Sequence, residues 1–109
     1  MNLANRPPLG QKVKLTKKDK ARSAAIHAMP CCICEEYGMI QMSPTQEHHS
    51  IHGRYSAVKT PACMTIPLCE GHHQGDFDTS KIALHREPHL WRRMYGADHK
   101  WVKQVNARL

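Results

Sequence analysis

The sequence predicts a small α+β domain, with a short β-hairpin plus helix, C-terminal helices packed alongside, and a mobile basic arm in front. Three observations carry this reading. The chain has 109 residues and only 6% aromatics, so it is one domain whose thin core needs a staple. It contains five Cys and nine His, several of them at short regular spacings. Short extended apolar runs precede two helical stretches near the C-terminus.

Charge narrows the class of partner. Lys and Arg total 16 against 9 acids, a net charge of +7, and the pI is near 9.4. That balance points to a polyanion, with nucleic acid ahead of an anionic membrane surface. No run of ~18 apolar residues is present to span a membrane. The first twenty residues, MNLANRPPLGQKVKLTKKDK, lack the apolar stretch of a signal peptide. A cytoplasmic, reducing setting is therefore expected, in which Cys serves as a metal ligand rather than a disulfide partner.

The elements follow in order. Residues 1–22 hold seven bases (Arg6, Lys12, Lys14, Lys17, Lys18, Lys20 and Arg22) against one acid, Asp19. With Pro7-Pro8, Gly10 and no aromatic, this stretch reads as a mobile arm suited to phosphate contact. Residues 23–109 form the folded domain. Residues 23–29 suit a short helix that Pro30 ends. Residues 31–43 suit a turn and a short strand, with 46–51 as the returning strand. Residues 52–63 read as a polar loop and 64–68 (MTIPL) as an extended apolar run. A short helix is expected from Cys69 onward, and 75–80 is a loop. Residues 87–96 suit a helix with Pro88 in its first turn and Gly96 after its end. A last helix over 98–108 takes Asp98 as N-cap and Trp101, Val102 and Val105 as its apolar stripe.

The cysteines suggest the staple. Cys31 and Cys34 form a Cys-x2-Cys pair, and Cys69 and His72 a Cys-x2-His pair. Both spacings let two ligands turn around one Zn²⁺, so the four together predict a structural Cys3His site. Metal binding at such a site becomes folding free energy. Cys32 and Cys63 lack a partner at good spacing and read as small buried apolar residues. His27, His89 and His99 read as surface residues and His52 as part of a loop.

Four histidines remain: His48, His49, His73 and His85. The order Cys-x2-Cys, His-His, Cys-x2-His-His resembles the HNH (ββα-metal) endonucleases. More narrowly, Glu47-His48-His49, Thr65-Ile66-Pro67-Leu68-Cys69, His72-His73-Gln74-Gly75, Ala83-Leu84-His85 and Trp91 through Gly96 look like the phage Ref proteins, a family of RecA-dependent HNH nucleases. The resemblance spans roughly residues 30–96. It implies that His49 is the general base and that His48, His73 and His85 hold a catalytic ion. Cys31, Cys34, Cys69 and His72 would then hold structural zinc. It also implies DNA as substrate, a RecA-type filament as partner, and a bacterial or phage-infected cell as the setting. The middle Asn of the HNH name has no counterpart. Met64-Thr65 occupies that region, where the Thr65 hydroxyl would orient the hairpin.

The chemistry is consistent with those residue types. Phosphodiester hydrolysis needs a base, an activated water and charge neutralisation at the phosphoryl group. A neutral imidazole has a reference pKa near ~6.5 and accepts a proton at neutral pH. All-imidazole ligation suits Zn²⁺ or a transition ion, and added phosphate oxygens extend the choice to Mg²⁺ or Mn²⁺. Arg54, Lys59 and the arm would supply phosphate contacts that set register without reading bases. The alternative is a non-catalytic zinc-stabilised module that binds DNA or RNA. A RING-type interaction module would need eight cross-braced ligands, which this sequence does not supply.

Overall fold

The computed structural model describes residues 16–50 and 64–109. Two stretches lie outside the described residues: 1–15, with Lys12 and Lys14, and 51–63, with His52, Arg54, Lys59 and Cys63.

A capping box starts the first helix, α1 (Lys17–Ala28). The Thr16 hydroxyl accepts from the Asp19 backbone N–H at 3.1 Å, and the Asp19 carboxylate accepts from the Thr16 N–H at 3.2 Å. The expected boundary between arm and domain, at residue 22, is therefore corrected, because residues 17–22 are helical. Lys17, Lys18 and Lys20 stand exposed on this helix. Arg22 turns inward instead, donating from Nε to Thr65 Oγ1 at 3.1 Å and from Nη2 to the Thr65 carbonyl at 2.9 Å. Ile26, fully buried, anchors α1 against the sheet.

The segment expected to begin as turn and strand instead winds into α2 (Cys32–Tyr37), closed by Gly38 in the left-handed region at φ 65°. Residues 39–43 form no strand, and Ile40 and Met42 are exposed. Gln41 ties this connection down. It accepts from the Cys31 N–H at 2.8 Å and donates at 2.8 Å to both the Ser43 carbonyl and Thr45 Oγ1.

The hairpin pairs strands other than those expected. β1 (Thr45–His49) runs antiparallel to β2 (Thr65–Cys69), with Thr45 opposite Cys69, His48 opposite Ile66 and His49 opposite Thr65. β2 is buried at all five positions, with α1, α2 and α5 among its neighbours. Full burial on both faces explains why MTIPL is continuously apolar rather than alternating.

α3 (Glu70–His73) follows β2 without a loop. Its first N–H groups are satisfied by residues just before β1: Glu70 N–H donates to the Pro44 carbonyl at 3.0 Å and Gly71 N–H to Ser43 Oγ at 3.1 Å. Gly75 ends this turn at φ +71°, and a Cβ there would stand 2.5 Å from the Ala83 Cβ, so no other residue fits.

α4 (Pro88–Tyr95) begins on its proline and ends before Gly96, as the pattern predicts. The last expected helix is divided into a 3-10 turn, Asp98–Trp101, and α5 (Val102–Asn106). Its stripe of Trp101, Val102 and Val105 is buried. Asp98 does not cap it. Ala97 holds the N-cap position, and the Asp98 side chain is wholly buried. The architecture is thus α+β, a two-stranded antiparallel sheet with short helices around it. Among the described residues no helix is long and apolar enough to cross a membrane.

Candidate metal centres on the hairpin and helix

The first turn of α2, the end of β2 and the start of α3 converge on one buried point. Cys31 and Cys34 come from the α2 end, Cys69 from the last residue of β2 and His72 from α3. Their ligand atoms all lie within 4.8 Å of one another, and all four residues are buried. His72 Nδ1 stands 3.5 Å from Cys31 Sγ, 3.5 Å from Cys34 Sγ and 3.3 Å from Cys69 Sγ, and the Cys34 and Cys69 sulfurs are 3.9 Å apart. Ligands held tetrahedrally by zinc stand about 3.8 Å apart for two sulfurs and about 3.5 Å for sulfur and nitrogen. The observed edges match those lengths, so this buried Cys3His cluster fits a metal ion such as zinc.

Electrostatics at the cluster agree with that fit. A hydrogen bond to Cys69, together with burial, pushes the Cys31 thiol up. The same bond and the His72 imidazole bring Cys69 down to about 4. Burial raises Cys34 to about 11. A single thiolate is tolerated, and further ionisation is opposed by crowded negative charge. A bound cation removes that opposition. Cys32 is also buried, as expected of a small apolar residue, and burial raises its thiol to about 12.

A second cluster lies one peptide bond away. His48, His73 and His85 also bring their ligand atoms within 4.8 Å of one another. Each comes from a different local structure. His48 is on β1 and His73 ends α3. His85 is placed by two backbone bonds to α3, Leu84 N–H to the His72 carbonyl at 2.9 Å and His85 N–H to the His73 carbonyl at 3.0 Å. The ring centroids are 4.9 Å apart for His48 and His73, 4.8 Å for His73 and His85, and 5.5 Å for His48 and His85. His48 and His73 are buried, while His85 is exposed, so the cluster opens to solvent on one side.

Two partners that sequence reading missed set the chemistry of these rings. Gln46 and His48 share one face of β1, two residues apart. Gln46 Oε1 accepts from His73 Nδ1 at 2.7 Å, leaving Nε2 as the free lone pair of His73. Asp98 Oδ2 accepts from His48 Nε2 at 2.7 Å, leaving Nδ1. Burial, then the adjacent His48 and His85 rings, hold the His73 pKa down at about 3, so His73 is neutral at physiological pH. Neutral imidazoles with one nitrogen already engaged are the form that ligates metal. Neither partner carries a local signal, since Asp98 is fifty positions from His48.

The remaining expected residues fall elsewhere. His49 does not join the three-histidine cluster. The register is continuous through the end of β1, so alternation sends His49 to the face opposite His48, across from Thr65. A charge on His49 still opposes protonation of His73, which places the two within electrostatic reach. The Thr65 hydroxyl accepts from Arg22 Nε at 3.1 Å. His27 and His89 are exposed, and His99 is half-buried. No family model, curated protein or solved structure matches the chain.

Proposed function

We propose that the chain is a metal-dependent endonuclease of the HNH type that hydrolyses DNA phosphodiester bonds. One observation carries the reading: His48, His73 and His85 meet at a solvent-accessible point beside a buried Cys3His cluster. A zinc-stabilised binding module needs the second cluster only if something is to be done there. The net charge of +7 supports a polyanionic substrate.

In this reading Cys31, Cys34, Cys69 and His72 hold structural zinc, which joins α2 to the hairpin and α3. His48, His73 and His85 would hold a divalent cation such as Mg²⁺ or Mn²⁺, which when bound stabilises negative charge developing on the phosphoryl and leaving oxygens. The chain's own residues do the rest. His49 is assigned the general base that accepts a proton from the attacking water; it stands at the end of β1, next in sequence to the ligand His48 but on the opposite strand face. Gln46 and Asp98 keep the ligand rings in one orientation. Lys17, Lys18 and Lys20, on the exposed side of α1, contact phosphates and fix register. Arg54, Lys59, Lys12 and Lys14 are assigned the same role on charge alone. The family resemblance extends the proposal to DNA carrying a RecA-type recombinase filament.

The deciding experiment is cleavage of plasmid and oligonucleotide DNA with Mg²⁺, Mn²⁺, Ni²⁺ or Zn²⁺, with and without a RecA filament on the substrate. Cleavage that requires an added divalent ion and is lost on substitution of His73 supports the proposal. Tight DNA binding with no cleavage under any of these conditions supports the non-catalytic module instead.

A further inference from the structure

Asp98 is a carboxylate in an unexpected place. It sits at the start of the 3-10 turn, is fully buried, and does not cap the helix it precedes. Burying a carboxylate is costly unless a specific partner uses it. Its oxygen lies 2.7 Å from Nε2 of His48, which is itself 1% exposed. An ionised carboxylate can only accept, so the proton of His48 must sit on Nε2. The other nitrogen, Nδ1, is then the one left with a lone pair for an ion held between His48, His73 and His85, whose ligand atoms lie within 4.8 Å of one another.

We propose that Asp98 is a positioning residue for the second metal centre, fixing the His48 tautomer and lending its negative charge to an otherwise neutral ligand set. The three ligands are all imidazoles, so the set carries no charge of its own to offset a dication. A carboxylate behind one ligand supplies it without entering the coordination sphere. The arrangement is complementary to Gln46 on His73, where the opposite ring nitrogen is engaged. The two partners differ in one respect, since Gln46 fixes a tautomer but only Asp98 adds charge. It follows that the C-terminal segment, remote in sequence from the histidines, is part of the metal centre rather than packing around it.

This inference rests on the second centre of the proposed function, and its test reads the ion and the ring rather than DNA cleavage. The full chain is prepared with one zinc per molecule and titrated calorimetrically with Ni²⁺ and with Mn²⁺. Asp98→Asn keeps the size of the side chain and removes the charge. The wild type binds one further ion, and Asp98→Asn binds it ~10–100-fold more weakly while keeping its first zinc and its circular dichroism. Long-range ¹H–¹⁵N spectra of the singly loaded wild type should show the His48 proton on Nε2. In Asp98→Asn, whose amide can donate or accept, the two tautomers should mix. Equal affinity in the two proteins, or a His48 proton on Nδ1 in the wild type, overturns the assignment. If Asp98→Asn fails to fold, the wild-type tautomer alone decides. Asp98-dependent ion binding in a chain that cuts no DNA would leave this inference standing and remove the nuclease.

Discussion

Arg22 on α1 grips both the side chain and the carbonyl of Thr65, the residue directly opposite His49 in the hairpin. A basic residue grouped by composition with a phosphate-binding arm is thus committed to joining a helix to the strand pair. Arg22→Ala should lower thermal stability by about 1–3 kcal/mol through loss of these charge-assisted bonds. Differential scanning calorimetry beside a DNA-binding isotherm checks it, and an unchanged melting temperature would show the Arg22–Thr65 bonds to be dispensable. Deletion through residue 22 should do more harm, because it also removes the capping box of Thr16 and Asp19.

Lys17, Lys18 and Lys20 are exposed on the same helix and free of that duty. Replacing all three with Gln should weaken DNA binding without changing the fold. The slope of log affinity against log salt should fall by ~0.7–0.9 for each phosphate no longer neutralised, so by roughly two if most of these lysines touch DNA. A salt series on both proteins measures this directly, and identical slopes would place the phosphate-binding residues elsewhere.

His49→Ala should reduce cleavage by ~10²–10⁴-fold. Ion binding should be spared, since His49 is not among the three clustered histidines. Single-turnover cleavage and an ion titration on the same preparation separate the two effects. Loss of ion binding in this variant would make His49 a ligand rather than a base.

Cys69→Ser should unfold the domain. Cys69 ends β2 at the junction with α3 and faces Cys34 and His72. Elemental analysis should find less zinc in the variant, and circular dichroism should lose the cooperative transition. A wild-type chain that stays cooperatively folded after complete chelation would refute a structural role for the metal.

Glu70 gives a pH signature. Its carboxylate accepts from the backbone N–H groups of Asp78 and Asp76 at 2.8 Å each and of Phe77 at 3.2 Å. Those bonds, led by the one from Asp78, lower its pKa below the usual value of 4.5. A carboxylate depressed in the folded state adds stability above its unfolded pKa and loses it as pH falls through the folded value. Glu70→Gln should therefore be less stable than wild type at pH 7, and the gap should close below about pH 4. Denaturant midpoints across that range test it, and a constant gap would assign the effect to packing.

The parts legible in the sequence are those whose signal is local. Cys-x2-Cys and Cys-x2-His each place two ligands within one turn, so spacing alone points to the Cys3His cluster. Pro88 and Gly96 mark α4 in the same way. The start of α1 is also written locally, in Thr16-x-x-Asp19, but the charge of the surrounding lysines suggests an arm. The apolar letters of residues 39–42 suggest a strand, yet Ile40 is 77% exposed and the partner of β1 lies beyond residue 64. Strand partnership is decided by which face can be buried, and a short run of apolar letters does not reveal it. Asp98 and Gln46 act on histidines from other elements, and nothing near them in the chain announces those partners.

His72 turns toward three sulfurs and His73, the next residue, toward two imidazoles. The spacing of the two clusters is therefore set by a single peptide unit in a helix of four residues. No linker or hinge lies between them to absorb error. Each residue of a helix advances by ~100°, so one residue inserted or deleted between Cys69 and His72 would turn both imidazoles away from their clusters at once. α3 thus works as a ruler with two marks. Substitution can retouch what surrounds either mark, but the interval between them admits no change of length.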